Sequence, residues 1–147
     1  MTARRLGRAA LVAGVLAFLA VSFLVARWLA ADGDERARVE RLIEAQSRGD
    51  AAAMAREIAI CDAACEERLR GLAQRLAGPG VTEIVRYDSG TAHALGDETR
   101  PTRVVWRRRD TLPTVQCVTV QRRGSALTGP RVTLLALSAP IGREAGC

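Results

Sequence analysis

An uncharged apolar stretch at residues 9–26 constrains this chain more than any other feature. As a helix rising 1.5 Å per residue, eighteen residues span about 27 Å, close to the hydrocarbon thickness of a bilayer. Arginines precede the stretch, whereas acidic residues follow it from Asp32 onward. Because basic residues that flank a span stay in the cytoplasm, this pattern predicts a single-pass cell-membrane protein with its N-terminus inside. The expected division is a cytoplasmic basic tail at 1–8, a transmembrane signal-anchor helix at 9–30 and an extracytoplasmic domain at 31–147.

A cleaved signal peptide is the competing interpretation of the same stretch. Small residues two positions apart occur at 20–22 and at 31–33, so cleavage sites exist. However, the apolar core of a signal peptide usually has roughly 7–15 residues, and this stretch is longer. Arg27 and Trp28 at its end are typical of interfacial anchors. The sequence therefore favours a retained anchor.

The charge of the chain argues against nucleic-acid binding. The net charge is +6, from 22 basic and 16 acidic residues, but four basic residues flank the span: Arg4, Arg5, Arg8 and Arg27. The remaining 18 basic residues nearly balance the 16 acids, so the domain lacks the excess that nucleic-acid binding requires. About 115 residues beyond the span are enough for one domain with its own core.

A first amphipathic helix is predicted at 35–47. Asp32-Gly33-Asp34 should break the membrane helix, because glycine and aspartate disfavour helix interiors, and Asp34 should cap the new helix. Apolar residues then recur at spacings of three and four, which indicates one buried stripe. The stripe consists of Val39, Leu42, Ile43 and Gln46.

Two further helices are predicted after a Gly49-Asp50 stop. One should cover 51–60, and the other should cover 63–77, with Asp62 as its cap and Gly78-Pro79-Gly80 at its end. The expected buried residues are Met54 and Ile58 in the former and Cys65, Leu69, Leu72 and Leu76 in the latter.

From Val81 onward, valine, threonine and leucine become frequent, which predicts strands. Short connections favour an antiparallel meander, and helices followed by strands give an α+β fold. We therefore expect the transmembrane helix to be followed by two or three helices packed on a curved antiparallel sheet of four to five strands. The predicted strands are 81–87, 91–95, 102–107, 114–122 and 131–138.

The segment Val39–Asp50 is an amphipathic helix that ends in Gly-Asp before a second short helix. With the helices and strands that follow, it resembles the nuclear transport factor 2-like superfamily over about residues 35–141. Within that superfamily the chain looks most like small membrane-anchored exported members from actinobacteria. The resemblance implies a cone-shaped fold whose sheet curls around a pocket. It implies no particular ligand, and no motif matches the catalytic residues of the superfamily's enzymes.

The four cysteines predict two disulfides, since their number is even and the domain is expected outside the cytoplasm. We expect Cys61–Cys65, across the start of a helix, and Cys117–Cys147, between a strand and the C-terminal tail. A bond from Cys61 or Cys65 to Cys117 is the alternative. Three residues separate Cys61 from Cys65, which is not thioredoxin-like spacing, and the chain has one histidine. We therefore expect no redox site, no metal and no cofactor.

Tyr87, His93 and Trp106 are the candidate ligand-pocket residues. Trp106 shares a strand face with Val104, which makes it a core or pocket-wall residue, and together with Tyr87 it could line an apolar cavity. His93, with Tyr87 or Asp88, is the only acid–base candidate. No catalytic residue is assigned, because a lone histidine usually has a surface or structural role.

Two arginine runs, at 107–109 and 122–123, are interpreted as solvated loops. In a hairpin they lie at opposite ends of the sheet, so they cannot form one polyanion site. Contact with anionic lipid or a cell-envelope polymer is the alternative.

These patterns predict a membrane-tethered extracytoplasmic module that binds another envelope protein or a small apolar ligand, without catalysis. The alternatives are a cone-pocket isomerase, dehydratase or hydrolase, and an accessory subunit of a membrane complex. The last would use small residues on one face of the span for helix packing. The expected partners are the membrane and either another envelope protein or a small apolar ligand, and not nucleic acid.

Overall fold

The computed structural model describes residues 2–91, 96–109, 111–124 and 131–147. Three helices are followed by four strands. The helices are α1 (Thr2–Ser47), α2 (Ala51–Glu57) and α3 (Ala63–Leu76). The strands are β1 (Thr82–Asp88), β2 (Glu98–Arg108), β3 (Thr114–Arg123) and β4 (Arg131–Leu137). The α+β order expected from the sequence is confirmed for this part of the chain.

Helix α1 runs without a break from the apolar stretch into the domain, so the predicted break at Asp32-Gly33-Asp34 is wrong. Gly33 has open space around it, and a glycine within a helix costs only about 1 kcal/mol relative to alanine. The Asp32 side chain accepts a hydrogen bond from Arg122 of β3, so a tertiary contact holds the turn that local preference would open. The apolar part of α1 is exposed and long enough to cross a membrane, so it could serve as an anchor.

Helices α2 and α3 begin at the caps expected from the sequence. The Asp50 carboxylate accepts a hydrogen bond from the Ala53 amide, and the Asp62 carboxylate accepts one from the Cys65 amide, each at 2.8 Å. Gly49 adopts a φ of 77°, which glycine tolerates best, and so lets α1 end and the chain turn into α2. Helix α2 is shorter than predicted because Ile58 leaves it to form a bridge with Leu134 of β4.

The four strands form an antiparallel meander in the order β1-β2-β3-β4. The expected sheet of four to five strands is therefore a four-stranded one in the described residues. The predicted short strand at 91–95 lies mostly outside them, because only its first residue, Thr91, is described, as part of a turn. Strand β2 begins at Glu98, four residues before its predicted start at Thr102.

The three helices pack on one face of the sheet and bury the predicted stripes, except that Leu76, at the C-terminal end of α3, is only partly buried. Residues of the α1 stripe and Met54 are fully buried, and Ile58, Cys65, Leu69 and Leu72 are nearly so. On the sheet side, Thr102, Val104 and Trp106 alternate inward as expected. The core is almost entirely aliphatic, with Trp106 as its one buried aromatic residue in the described chain.

The C-terminal tail first pairs with β3 and then reaches the opposite face of the sheet. Cys117 is bonded to Cys147 with a Cα–Cα distance of 5.7 Å, and the Ile141 amide donates to the Val115 carbonyl at 2.8 Å. Cys61 is bonded to Cys65 with a Cα–Cα distance of 5.1 Å, across the start of α3. These are the two pairs preferred from the sequence.

Helix α1 lies along the sheet and gives it two distinct ends. At one end Glu35 contacts Arg122 near the C-terminal end of β3. At the other end the Thr82 hydroxyl donates to Ser47 at 2.7 Å. We call these the Glu35 end and the Ser47 end; the Glu35 end is the one closer to the apolar part of α1.

Candidate functional site

The most unusual site in the described chain is a buried carboxylate, Glu35, which is 1% exposed between α1 and the sheet. Its two oxygens accept hydrogen bonds from four hydroxyl groups. The donors are Tyr87 at 2.7 Å, Ser89 at 2.8 Å, Thr102 at 2.9 Å and Thr91 at 2.5 Å. Because a buried charge is costly without partners, this set of donors is what allows Glu35 to be ionised inside the protein.

Arg122 completes the cluster from β3. One of its guanidinium nitrogens, Nη2, lies 3.4 Å from Glu35 and also donates to Asp32. Arg122 is 2% exposed, so the interpretation of the 122–123 run as a solvated loop is wrong for this residue. The reason is its position: it alternates with Val118 and Val120 on the inward face of β3. The 107–109 run does lie at the other end of the sheet, where Arg107 pairs with Glu83. The solvated-loop interpretation is wrong for Arg108, which ends β2, is partly buried and donates to the Leu76 carbonyl at 2.6 Å.

The cluster shifts the pKa of two of its members in opposite directions. Burial raises the pKa of Glu35, but hydrogen bonds from Thr91, Tyr87, Ser89 and Thr102 outweigh it and lower the pKa below its usual value of 4.5. Burial first, and then the negative charge of Glu35, raise the pKa of Tyr87 well above 10.0. At neutral pH the pair is therefore an ionised carboxylate and a protonated phenol.

This arrangement is suited to holding structure rather than to catalysis. A general base needs a lone pair within reach of a substrate and a pKa near the working pH. Glu35 has four hydroxyl donors and a cation around it, a lowered pKa and almost no exposed surface. Its chemical role in this geometry is to join α1 to three strands.

Sequence reasoning missed Glu35, although a signal was present. Glu35 precedes Val39 by four residues, which places it on the same buried stripe of the helix. The expected break at residues 32–34 makes Glu35 the first residue of a new helix, and the predicted stripe begins only at Val39. A carboxylate at a stripe position is the signal that predicts a buried partner, here Arg122.

A second polar network lies deeper in the core. The Trp106 indole donates to the Gln116 side-chain oxygen at 2.7 Å, and the Gln46 amide donates to the same oxygen at 3.2 Å. The Gln116 amide in turn donates to the Ser138 carbonyl at 2.9 Å. Trp106 is thus oriented by a fully buried glutamine, and its polar edge is used within the core.

The predicted pocket residues take part in separate contacts. Tyr87 belongs to the Glu35 cluster, whereas Trp106 belongs to the Gln116 network. His93 lies outside the described residues. Asp88 is paired with Arg86 on the surface. That Tyr87, His93 and Trp106 line a ligand pocket therefore stays a prediction.

The largest cavity that we describe is an open groove of about 630 Å³ between α2 and α3. Its walls are small or apolar, with arginine and glutamate side chains at the margin. The Cys61–Cys65 disulfide borders it through Cys61. The lining residues are Ala51, Ala52, Ala55, Arg56, Ile58, Cys61, Glu66 and Arg70. We call this feature the α2–α3 groove.

Within the described residues, no group of three or more histidine, cysteine or acidic side chains is arranged to hold a metal ion. Asp32 and Glu35 share one cationic partner, because Arg122 Nη2 contacts both carboxylates.

Comparison with known proteins gives no relative from which a role could be transferred. No protein-family model, curated protein or solved structure matches this chain significantly. The resemblance to the nuclear transport factor 2-like superfamily accordingly stays a prediction from the sequence.

Proposed function

We propose that this chain is a membrane-tethered extracytoplasmic module that docks another envelope protein through the α2–α3 groove. The observation that carries the proposal is the contrast between the interior and this groove. The interior acid–base groups are fully engaged by Arg122 and four hydroxyls, whereas the largest described cavity is open to the surface.

The tether is supported by α1 and by the disulfides. The apolar part of α1 is long enough to span a bilayer, and two disulfides are typical of an oxidising compartment. In this proposal the N-terminus is cytoplasmic, as the arginines before the apolar stretch favour, and the domain is outside. The nuclear transport factor 2-like relationship belongs to the same proposal and rests on the order of helices and strands.

The chemistry of the α2–α3 groove favours an apolar side chain flanked by a carboxylate. Ala51, Ala52 and Ala55 leave space for an inserted side chain. Arg56 is exposed at the margin, and its charge would attract an acidic residue of the partner. A protein segment fits an open groove better than a small ligand does, because ligand pockets usually enclose most of the ligand's surface.

Site-specific photocrosslinking in intact membranes tests this proposal. A benzophenone amino acid at Ala52, in the groove, should give one discrete protein adduct, whereas the same group at exposed Ala139, outside the groove, should not. The Ala55→Arg substitution fills the groove and should abolish the adduct, and mass spectrometry of the adduct should identify an envelope protein.

Two outcomes would contradict docking. Equal adducts from Ala52 and Ala139 would mean that the groove has no specific partner. A small apolar compound that raises the melting temperature of the wild type, and not of Ala55→Arg, would favour the ligand-binding alternative. The cone-pocket enzyme and the accessory-subunit alternatives have no supporting contact among the described residues.

A further inference from the structure

The Glu35 end of the sheet lies next to the apolar part of α1. Asp32 is two residues beyond the expected end of the span at residue 30, and it contacts Arg122. Two helical residues rise about 3 Å, whereas the headgroup layer on each side of a bilayer is about 5–7 Å thick. If α1 crosses the membrane, the C-terminal end of β3 therefore lies at the depth of the lipid headgroups.

Two exposed arginines face each other at this end. Arg123 of β3 and Arg131 of β4 are direct cross-strand partners, and both are exposed. Like charges in this position destabilise a sheet unless an anion lies between them. Within the described chain neither arginine has a hydrogen bond or an ion pair from its side chain.

The charged groups at this end sum to zero, and their exposed positive charge is concentrated at this pair. The other arginines near this end are matched by acids: Arg86 by Asp88, Arg100 by Glu98, and Arg122 by Asp32 and Glu35. Asp97 is the remaining acid nearby, and its Oδ1 accepts a hydrogen bond from the Gly124 amide at 2.7 Å. Arg123, Arg131 and Asp97 together carry one net positive charge, which offsets the one net negative charge of Arg122 with Asp32 and Glu35. That negative charge is largely buried beneath the sheet, whereas Arg123 and Arg131 are exposed.

We propose that Arg123 and Arg131 bind the phosphate of an anionic phospholipid headgroup and so hold the base of the domain on the bilayer surface. This inference rests on the membrane anchoring of the proposed function. Guanidinium groups donate paired hydrogen bonds to phosphate oxygens, and two of them on neighbouring strands can bind one phosphate from both sides. The phosphate also removes the repulsion between the two arginines.

Native mass spectrometry of the full chain tests the site. The protein is reconstituted in nanodiscs that contain equal amounts of phosphatidylcholine and phosphatidylglycerol, released, and examined for retained lipid. Each arginine near an anionic surface contributes about a fivefold preference, so Arg123 and Arg131 together should raise the retention of phosphatidylglycerol over phosphatidylcholine by roughly 30-fold above what the arginines that flank the span give.

The matched variants separate this site from general basicity. The double variant Arg123→Gln/Arg131→Gln should lower the preference by roughly 30-fold and keep the part that the arginines beside the span give. The control Arg68→Gln/Arg109→Gln removes the same charge from exposed arginines elsewhere and should keep the full preference. An unchanged preference in the first variant, or an equal loss in both, would overturn the site while leaving the anchor intact. A chain that does not co-elute with nanodiscs would overturn the anchor and the headgroup site together.

Discussion

Removing the charge of Glu35 should destabilise the domain more than any other single carboxylate change. Glu35→Gln keeps the side-chain volume but replaces a carboxylate that accepts from four hydroxyls and Arg122. The new amide group brings donors to a place already filled with donors. Removing one partner of a buried ion pair costs about 3–5 kcal/mol, and we expect a loss in that range.

The assay is urea unfolding of the full chain in detergent micelles, with Trp28 replaced by phenylalanine in every variant so that the fluorescence comes from buried Trp106. The matched control is Glu44→Gln, also on α1, which removes an exposed pair with Arg48 at 3.7 Å and should cost less than about 0.5 kcal/mol. A Glu35→Gln variant within about 1 kcal/mol of the wild type would refute our assignment of Glu35 as an ionised, fully bonded group.

The pH dependence of the same variant gives an independent check. The folded pKa of Glu35 lies below its usual value of 4.5, so its stabilising contribution is present above pH 4.5 and is lost as pH falls through the folded pKa. Glu35→Gln should therefore lose less stability than the wild type on acidification. If the stability of the two proteins fell equally as the pH is lowered, Glu35 would not be the group responsible for the acid dependence.

Three further predictions test other parts of the structure. Tyr87 has a folded pKa above its unfolded value of 10.0, so its contribution to the free energy of unfolding is present below pH 10 and is lost as the pH rises above it. Tyr87→Phe should therefore reduce the loss of stability that unfolding curves show at alkaline pH. A Cβ at Gly90 would overlap the Pro101 carbonyl, whereas a Cβ at Gly71 would meet open space. Gly90→Ala should therefore lower the free energy of unfolding by at least about 2 kcal/mol, and Gly71→Ala should raise it by about 0.5–1 kcal/mol. Equal melting temperatures for the two variants would contradict this. Loss of the Cys117–Cys147 bond, which closes the longer loop, should lower the free energy of unfolding by about 4 kcal/mol, against about 2 kcal/mol for Cys61–Cys65. A larger loss for Cys61–Cys65 in denaturant unfolding would contradict this.

Most of the fold could be predicted because local signals and tertiary contacts agree. Asp50 and Asp62 cap helices whose apolar stripes face the sheet, and Thr102 to Trp106 alternate inward as the period of a strand requires. In each case the local preference for a helix or a strand and the burial of apolar side chains favour the same structure. Boundaries shifted by a few residues where a contact between elements decides them, as at Ile58.

The candidate site was harder to predict because its members are far apart in the sequence. Glu35 and Arg122 are 87 positions apart, and each one alone looks like a surface charge. Asp32 and Gly33 favour a helix break locally, but the contact with Arg122 favours a continuous helix. The sequence places both Glu35 and Arg122 at positions that face the core. Only the folded structure shows that they pair there, which is why both charges can be buried.

A continuous α1 has a mechanical consequence for the domain. No break in α1 separates its apolar part from the part that the Glu35 cluster fixes to the sheet, so, if the apolar part spans a membrane, the domain tilts together with it. The helix from residue 30 to Ser47 is a lever arm about 26 Å long, and a 10° change in its tilt would carry the Ser47 end sideways by about 4–5 Å. In a membrane, a change of bilayer thickness that alters the tilt of α1 would thus change how far sideways the outer end of the domain reaches.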